Sequence, residues 1–346
     1  MSNRDRTPAQ APRALVLGCA GPSLDPAERD FFRAADPAGF ILFQRNCVEP
    51  AQVRALVADL KEAVGRPDAP VLIDQEGGRV QRLKPPHWRA APSGGRIAAL
   101  AAPADERAAW LNARLIAADL EALDIAVDCM PVLDLPVPGA HEVIGSRALG
   151  TEPAQAIRLG RAVMQGLEAG GVLPVIKHLP GHGRATVDSH EHCPVVETPE
   201  EELLERDLVP FQALADAAFA MTAHVVYTAW DSERPGTLSP KVIHEIIRGR
   251  IGFAGALISD DLSMKALGGD LADRALGALA AGCDLALHCN GKLDEMAMLA
   301  DSVGPLDEPG AARFAQALLR RNTPEPIDRA ALLDELETLL AGGPAA

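Results

Sequence analysis

The fold class the sequence predicts is α/β, a single-domain TIM-like (β/α)8 barrel, and three observations predict it. Eight short apolar runs punctuate the chain, at residues 14–18, 39–43, 70–74, 125–131, 173–178, 219–227, 255–260 and 283–289. Most are continuously apolar rather than alternating, as suits strands buried on both faces of a parallel sheet. Helical patterns lie between them, and strand–helix alternation repeated about eight times fits a closed barrel better than a doubly wound sheet.

The helices are read from apolar stripes and caps. Val53, Leu56, Val57, Leu60 and Val64 fall on one face, with Pro50 at the start of that helix. Ile157, Met164 and Leu167 share a face of a segment that ends at Gly170-Gly171, a plausible C-cap. Leu204, Leu208, Phe211 and Leu214 make another stripe. Ser239 is the expected N-cap of a helix through Val242, Ile243, Ile246 and Ile247.

Composition excludes several classes. The 346 residues carry 33 Lys and Arg against 48 Asp and Glu, a net charge of −15. That acidic balance, with no basic block, argues against nucleic-acid and anionic-membrane partners. No apolar stretch reaches the length of a transmembrane helix. Cys19, Cys47, Cys129, Cys193, Cys283 and Cys289 are scattered without a CxxC pair, which predicts free thiols and a reducing, cytoplasmic setting. Val16-Leu17-Gly18-Cys19 has the look of a lipoprotein cleavage box, but the apolar stretch before it covers only 14–18, too short for a signal segment. No glycine pattern of a nucleotide-binding loop follows a strand. One domain spanning 1–346 is expected, with 1–12 and 341–346 frayed. A monomer without cofactor is expected.

Unusual polar residues gather where strands end. The third run leads into Asp74-Gln75-Glu76-Gly77-Gly78, with Arg79 and Arg82 close behind. The fifth ends in Lys177-His178 and continues through Leu179-Pro180-Gly181-His182-Gly183 to Asp188, His190 and His192. The seventh ends in Ser259-Asp260-Asp261-Leu262-Ser263. In a barrel this rim is where active sites form. Of the Asp260-Asp261 pair, one can cap the following turn while the other faces the barrel axis, where a carboxylate can act as a nucleophile. In Asp188-Ser189-His190 the carboxylate can orient the ring and raise its proton affinity, which suits His190 to general acid work. Arg82, Arg147 and Lys177 are candidate contacts for a polar ligand. The four histidines His178, His182, His190 and His192 also admit a zinc site, although they lack the HExxH spacing. Aromatic residues are only 3% of the chain, which favours a small pocket over a long groove with stacking platforms.

Taken together, the motifs resemble the family 3 glycoside hydrolases, and more narrowly the bacterial cytoplasmic β-N-acetylhexosaminidases of cell-wall recycling. The resemblance rests on Lys177-His178-Leu179-Pro180-Gly181-His182-Gly183, on Asp188-Ser189-His190, and on Ile258-Ser259-Asp260-Asp261-Leu262-Ser263-Met264. The segments 73–83, Val143-Ile144-Gly145-Ser146-Arg147 and Met221-Thr222-Ala223-His224 fit the same family. It implies a retaining, metal-free exo-β-N-acetylglucosaminidase. Asp260 would be the nucleophile, His190 the proton donor and acceptor, and Asp188 the partner that tunes His190. Asp74, Arg82, Arg147, Lys177 and His178 would bind the sugar. Leu179 stands where the family usually has Phe, and Arg184-Ala185-Thr186 replaces the usual acidic residue and Thr. The loop that carries His190 is expected to be mobile, with Gly181 and Gly183 permitting the movement. Rival readings are a phosphorylase on the same site, a metal-dependent hydrolase built on the histidines, and a non-catalytic sugar-binding barrel.

Overall fold

The computed structural model describes residues 11–189 and 191–343. Its strands, in chain order, are β1 (Arg13–Gly18), β2 (Pro37–Leu42), β3 (Val71–Ile73), β4 (Val127–Asp128), β5 (Leu173–Leu179), β6 (Val195–Val196), β7 (Phe219–Thr222), β8 (Val226–Tyr227), β9 (Ala256–Asp261) and β10 (Leu285–His288). Eight of them close into a barrel in the order β1-β2-β3-β4-β5-β7-β9-β10, with β10 back against β1. Every neighbouring pair is parallel, and Val16 lies opposite Leu287 across the closing seam. Each predicted apolar run therefore contributes one barrel strand.

Two runs are shorter in the wall than the pattern predicts. Of 125–131 only Val127–Asp128 stays in the ladder. Pro131 has no N–H to give, and the Met130 N–H turns back to the Asp128 carbonyl. The run 219–227 divides: β7 ends at Thr222, the Ala223 N–H bonds to the Leu179 carbonyl, and the chain then leaves the wall. Val226–Tyr227 pairs instead with Val195–Val196 in a separate two-stranded ribbon. A two-residue strand has no periodicity to betray it.

The helical stripes pack as patterned. Pro50–Ala63 has Pro in its first turn and buries Val53, Leu56, Val57 and Leu60. Pro153–Ala169 ends on Gly170 as its C-cap. The segment 200–213 breaks into three pieces, Glu200–Glu202, Leu203–Asp207 and Val209–Ala213. A wide turn in which the Leu208 N–H reaches the Leu203 carbonyl precedes Pro210, which cannot continue the hydrogen-bond ladder. Ser239 caps as expected: its Oγ accepts the Val242 N–H at 3.1 Å, ahead of Val242–Ile251, which also turns wide.

The core fills the barrel and the layer between strands and helices. Leu15, Leu17, Phe40, Val71, Val175, Phe219 and Leu285 are all buried. The Pro12 carbonyl accepts the Leu306 N–H, and Ala341 is the last residue of the helix Arg329–Ala341. All six cysteines are free, and five are buried. Among the described residues no helix is long and apolar enough to cross a membrane.

Candidate active site

At the C-terminal ends of the strands the barrel opens into a cavity of about 280 Å³, close to the small end of the roughly 300–1,000 Å³ span of small-molecule sites. Its floor is apolar: Ile41, Met221 and Leu287 line it and are nearly fully buried. Phe43 is the aromatic ring in its wall. Asp74, Arg82, Arg147, Lys177, His178, Asp188 and Asp260 all line it as well. Seven of the eight predicted site residues are thus brought together from five separate stretches of chain. The eighth, His190, lies outside the described residues.

One wall is a network of paired charges. Asp74 directly follows β3, and its two carboxylate oxygens accept from Lys177 Nζ at 2.8 Å and Arg82 Nη2 at 3.0 Å. Lys177 Nζ also reaches Glu76 Oε1 at 2.7 Å. Glu76 in turn receives a bidentate grip from Arg147, Nη2 to Oε1 at 2.7 Å and Nε to Oε2 at 2.8 Å. Burial pushes the Asp74 carboxyl up, but Lys177 and Arg82 outweigh it and hold it well below the usual carboxylate range. Burial likewise opposes ionisation of Glu76, yet Arg147 and Lys177 bring it down to about 2. Burial alone would discharge Lys177; Asp74 and Glu76 keep it an ammonium. Arg82 also lies over the Phe43 ring, 4.9 Å from its centroid. The turn that returns the chain from Asp74 to Arg82 needs Gly77 and Gly78, both at positive φ; a Cβ on Gly77 would meet the Pro92 carbonyl oxygen at 2.2 Å.

A second wall is built from two imidazoles held by one buried carboxylate. Asp134 accepts from His178 Nδ1 at 2.6 Å and from the His182 backbone N–H at 2.6 Å. His182 Nε2 meets Ser189 Oγ at 3.0 Å, and the Ser189 carbonyl accepts the Ala266 N–H at 3.2 Å. Burial, with His178 beside it, pushes the His182 imidazole down to about 4, so it is uncharged near neutral pH. Residue 189 is thus pinned from both sides, next to Asp188. The two glycines of this stretch stand in different settings, with Gly181 at a positive φ of 135°. Gly183 lies against the backbone of Leu135, where a Cβ would meet the carbonyl oxygen at 2.2 Å, and the Gly181 carbonyl accepts from the Tyr227 hydroxyl. Close packing, not freedom, requires glycine at 183. Arg184, one of the departures from the family pattern, is an anchor: it pairs with Asp207 at 2.9 Å and Glu202 at 2.7 Å. His192 is exposed, away from the buried His178 and His182. Among the described residues no group of three or more His, Cys, Asp or Glu is arranged to hold a metal ion.

Both members of the Asp260-Asp261 pair line the cavity, and they are held differently. Asp261 serves the local fold: its carboxylate accepts from the Ser263 N–H at 3.1 Å and the Cys289 N–H at 3.2 Å. Asp260 lines the cavity, and one of its oxygens accepts the Asp261 N–H at 2.8 Å.

Three contributors were not singled out from sequence. Glu76 completes the charge network; two acids separated by one residue after a buried strand were its signal. Asp134, fully buried, organises both histidines; an acid inside the apolar stretch Val132-Leu133-Asp134-Leu135 is the mark of a paired buried charge. Arg79 donates to the carbonyls of Glu142 and Val143, both at 2.6 Å, and so holds the loop that presents Arg147. Nothing in its sequence context separates it from surface charge.

A closed parallel barrel with a polar pit at its strand C-termini, paired charges on one side and a carboxylate at the end of the seventh strand, is the construction of a barrel enzyme for a small polar ligand. Comparison with known proteins narrows this. The model of the glycosyl hydrolase family 3 N-terminal domain matches residues 25–320. The β-hexosaminidase of Methylococcus capsulatus is 40% identical over 331 residues, 93% of this chain and 95% of that protein. The chain superimposes on NagZ from Neisseria gonorrhoeae in complex with N-trifluoroacetyl-D-glucosamine with a TM-score of 0.83 and 31% identity, covering 97% of this chain and 98% of that one. It also matches a family 3 β-N-acetylglucosaminidase from Paenibacillus sp. with a TM-score of 0.81 and 30% identity, covering 96% of this chain but only 62% of that longer one. The chain belongs to glycosyl hydrolase family 3 and is a glycoside hydrolase.

Proposed function

We propose that the protein is a retaining exo-β-N-acetylglucosaminidase that removes a terminal, non-reducing, β-linked N-acetylglucosamine. Its natural substrates would be peptidoglycan fragments such as N-acetylglucosaminyl-anhydro-muropeptides, met in the cytoplasm by a monomeric enzyme. The observation that carries the reading is that Asp260, at the end of β9, and Asp188, in the loop after β5, line one cavity with the five candidate sugar-binding residues. The aminosugar complex of a structural relative and the names of the others support the choice of sugar. The free, mostly buried thiols agree with a reducing compartment.

In this reading the Asp260 carboxylate attacks the anomeric carbon as the glycosidic C–O bond breaks. His190, oriented by Asp188, gives its proton to the departing oxygen. The sugar is then held as an ester of Asp260. His190 takes a proton from water, the water oxygen attacks the same carbon, and the sugar leaves with its configuration retained. Asp74 accepts from sugar hydroxyls and Arg82, Arg147, Lys177 and His178 donate to them, while Glu76, outside the cavity lining, holds Arg147 and Lys177 in place. Those cations are already paired with carboxylates or carbonyls, so the cavity offers an incoming phosphate little, and hydrolysis is favoured over phosphorolysis.

The test is incubation with a chromogenic β-N-acetylglucosaminide while the product is followed by proton NMR. The β-anomer is expected first, with no metal added and no dependence on phosphate. First appearance of the α-anomer, formation of a sugar 1-phosphate, or loss of turnover with a chelator would each overturn it. His190→Ala is expected to impair substrates with poor leaving groups far more than activated aryl glycosides; equal losses would remove His190 from the acid role.

A further inference from the structure

The segment Met221-Thr222-Ala223-His224 leaves the barrel wall directly after β7, and the reaction above gives its histidine no task. His224 is fully buried. Its Nε2 lies 3.0 Å from the Asp261 carbonyl oxygen, and its Nδ1 lies 2.7 Å from Thr237 Oγ1. A carbonyl only accepts, so Nε2 carries a proton. Burial pushes the His224 imidazole toward its neutral form, which leaves Nδ1 as an acceptor and makes the Thr237 hydroxyl the donor to it. Thr222 Oγ1, 2.7 Å from Thr237 Oγ1, then donates to Thr237. The Thr237 hydroxyl also lies 3.1 Å from the Ala223 carbonyl, a second acceptor that shares its proton. Donation thus runs one way, from Thr222 to Thr237 to His224 to the Asp261 carbonyl, and the tautomer of His224 is set by its neighbours.

Asp261 is the residue on which Asp260 leans. Its N–H holds one oxygen of Asp260 at 2.8 Å, its side chain is tied to Ser263 and to the backbone of residue 289, and its carbonyl is the end of the relay. We propose that His224 is a positioning residue: by fixing the Asp261 carbonyl through Nε2–H it sets where Asp260 presents its carboxylate in the cavity. His224 touches no substrate in this role. It acts through the backbone, reaching the tip of β9 from just beyond Thr222.

The inference rests on Asp260 being the nucleophile, and its test separates the two. The amide nitrogen of Gln stands where Nε2 stands, whereas that of Asn stands nearer Nδ1 and leaves the Asp261 carbonyl without its donor. His224→Asn is expected to lower kcat on a chromogenic β-N-acetylglucosaminide by about 10²-fold, the scale set by misplacing a reacting group by an ångström. KM and the calorimetric Kd for free N-acetylglucosamine should stay within about threefold, because the sugar-binding wall is untouched. His224→Gln should restore kcat to within about fivefold of wild type, even if both variants lose similar amounts of Tm. Equal kcat in the Asn and Gln variants, or a loss confined to KM, overturns the proposal. If His224→Asn does not fold, Thr237→Val decides: it keeps the ring and removes the donor to Nδ1, and an unchanged kcat overturns the proposal while a severalfold fall at constant KM supports it. Asp260→Ala in the same series tells the failures apart. A dead Asp260→Ala beside indifferent His224 variants sinks this inference alone, and an active Asp260→Ala sinks the nucleophile and this inference with it.

Discussion

Lys177 and His178 are neighbours in β5, yet they belong to networks of opposite character. Lys177 stands with Asp74, Glu76, Arg82 and Arg147, where every ionised group is held charged by an opposite partner at about hydrogen-bond distance. His178 stands with Asp134, His182 and, across the loop, Ser189, where orientation comes from hydrogen bonds and His182 is kept uncharged by burial. The difference teaches how a small cavity uses two means of fixing side chains. Paired charges are rigid but costly to disturb, because removing one leaves another buried and unpaired. Imidazoles cost less to disturb and remain able to take or give a proton.

The largest expected effect lies at neither network but between them. Asp260→Ala should lower kcat by at least about 10⁴-fold, as removal of a nucleophile's machinery does elsewhere, while N-acetylglucosamine still binds by calorimetry. A retained kcat would deny the cavity its proposed chemistry. Next comes the charged wall. Glu76→Gln removes one partner from both Arg147 and Lys177, and chemical denaturation should register a loss of about 3–5 kcal/mol. A loss below about 1 kcal/mol would mean the network behaves like surface ion pairs, and the contrast drawn above would fail.

The pH dependence of stability should resolve the two networks. Glu76 is depressed from 4.5 to about 2. The native state therefore binds fewer protons than the unfolded chain between those values, and the stability it contributes is complete above about pH 4.5 and lost as pH falls toward 2. His182 is depressed from 6.5 to about 4, so its contribution is complete above pH 6.5 and lost as pH falls toward 4. Denaturation midpoints across pH 2–8 should show both windows, and Glu76→Gln should diminish only the lower one, to which the depressed Asp74 also contributes. The smallest effect belongs to the imidazole wall. Ser189→Ala deletes one hydrogen bond to His182, and a loss of about 1 kcal/mol is expected, visible as a small drop in Tm. A loss as large as that of Glu76→Gln would erase the distinction.

How much of this was legible in the chain differs between fold and site. The barrel was readable because parallel strands buried on both faces appear as uninterrupted apolar runs, and 39–43 or 283–289 have no other good interpretation. The split of 219–227 was not readable, since nothing local tells Thr222 that its ladder ends there; a partner at Leu179 decides it. At the site, Asp74, Lys177 and Asp260 stood out as charges emerging from apolar strands. Glu76 and Asp134 escaped because their meaning lies in whom they meet, Arg147 from 71 residues away and His178 from 44. The close packing at Gly183 was hidden for the same reason: glycine marks a place where a side chain is not tolerated, and only the fold says that Leu135 is the obstacle.

The apolar floor under the pit has a kinetic meaning. With Ile41, Met221 and Leu287 packed beneath it, the barrel has a mouth but no outlet, and whatever enters must back out by the same door. A long chain cannot be threaded through and clipped repeatedly. In the proposed exo-acting reaction each cut would end the visit, both fragments would depart, and the next round would begin with a fresh collision.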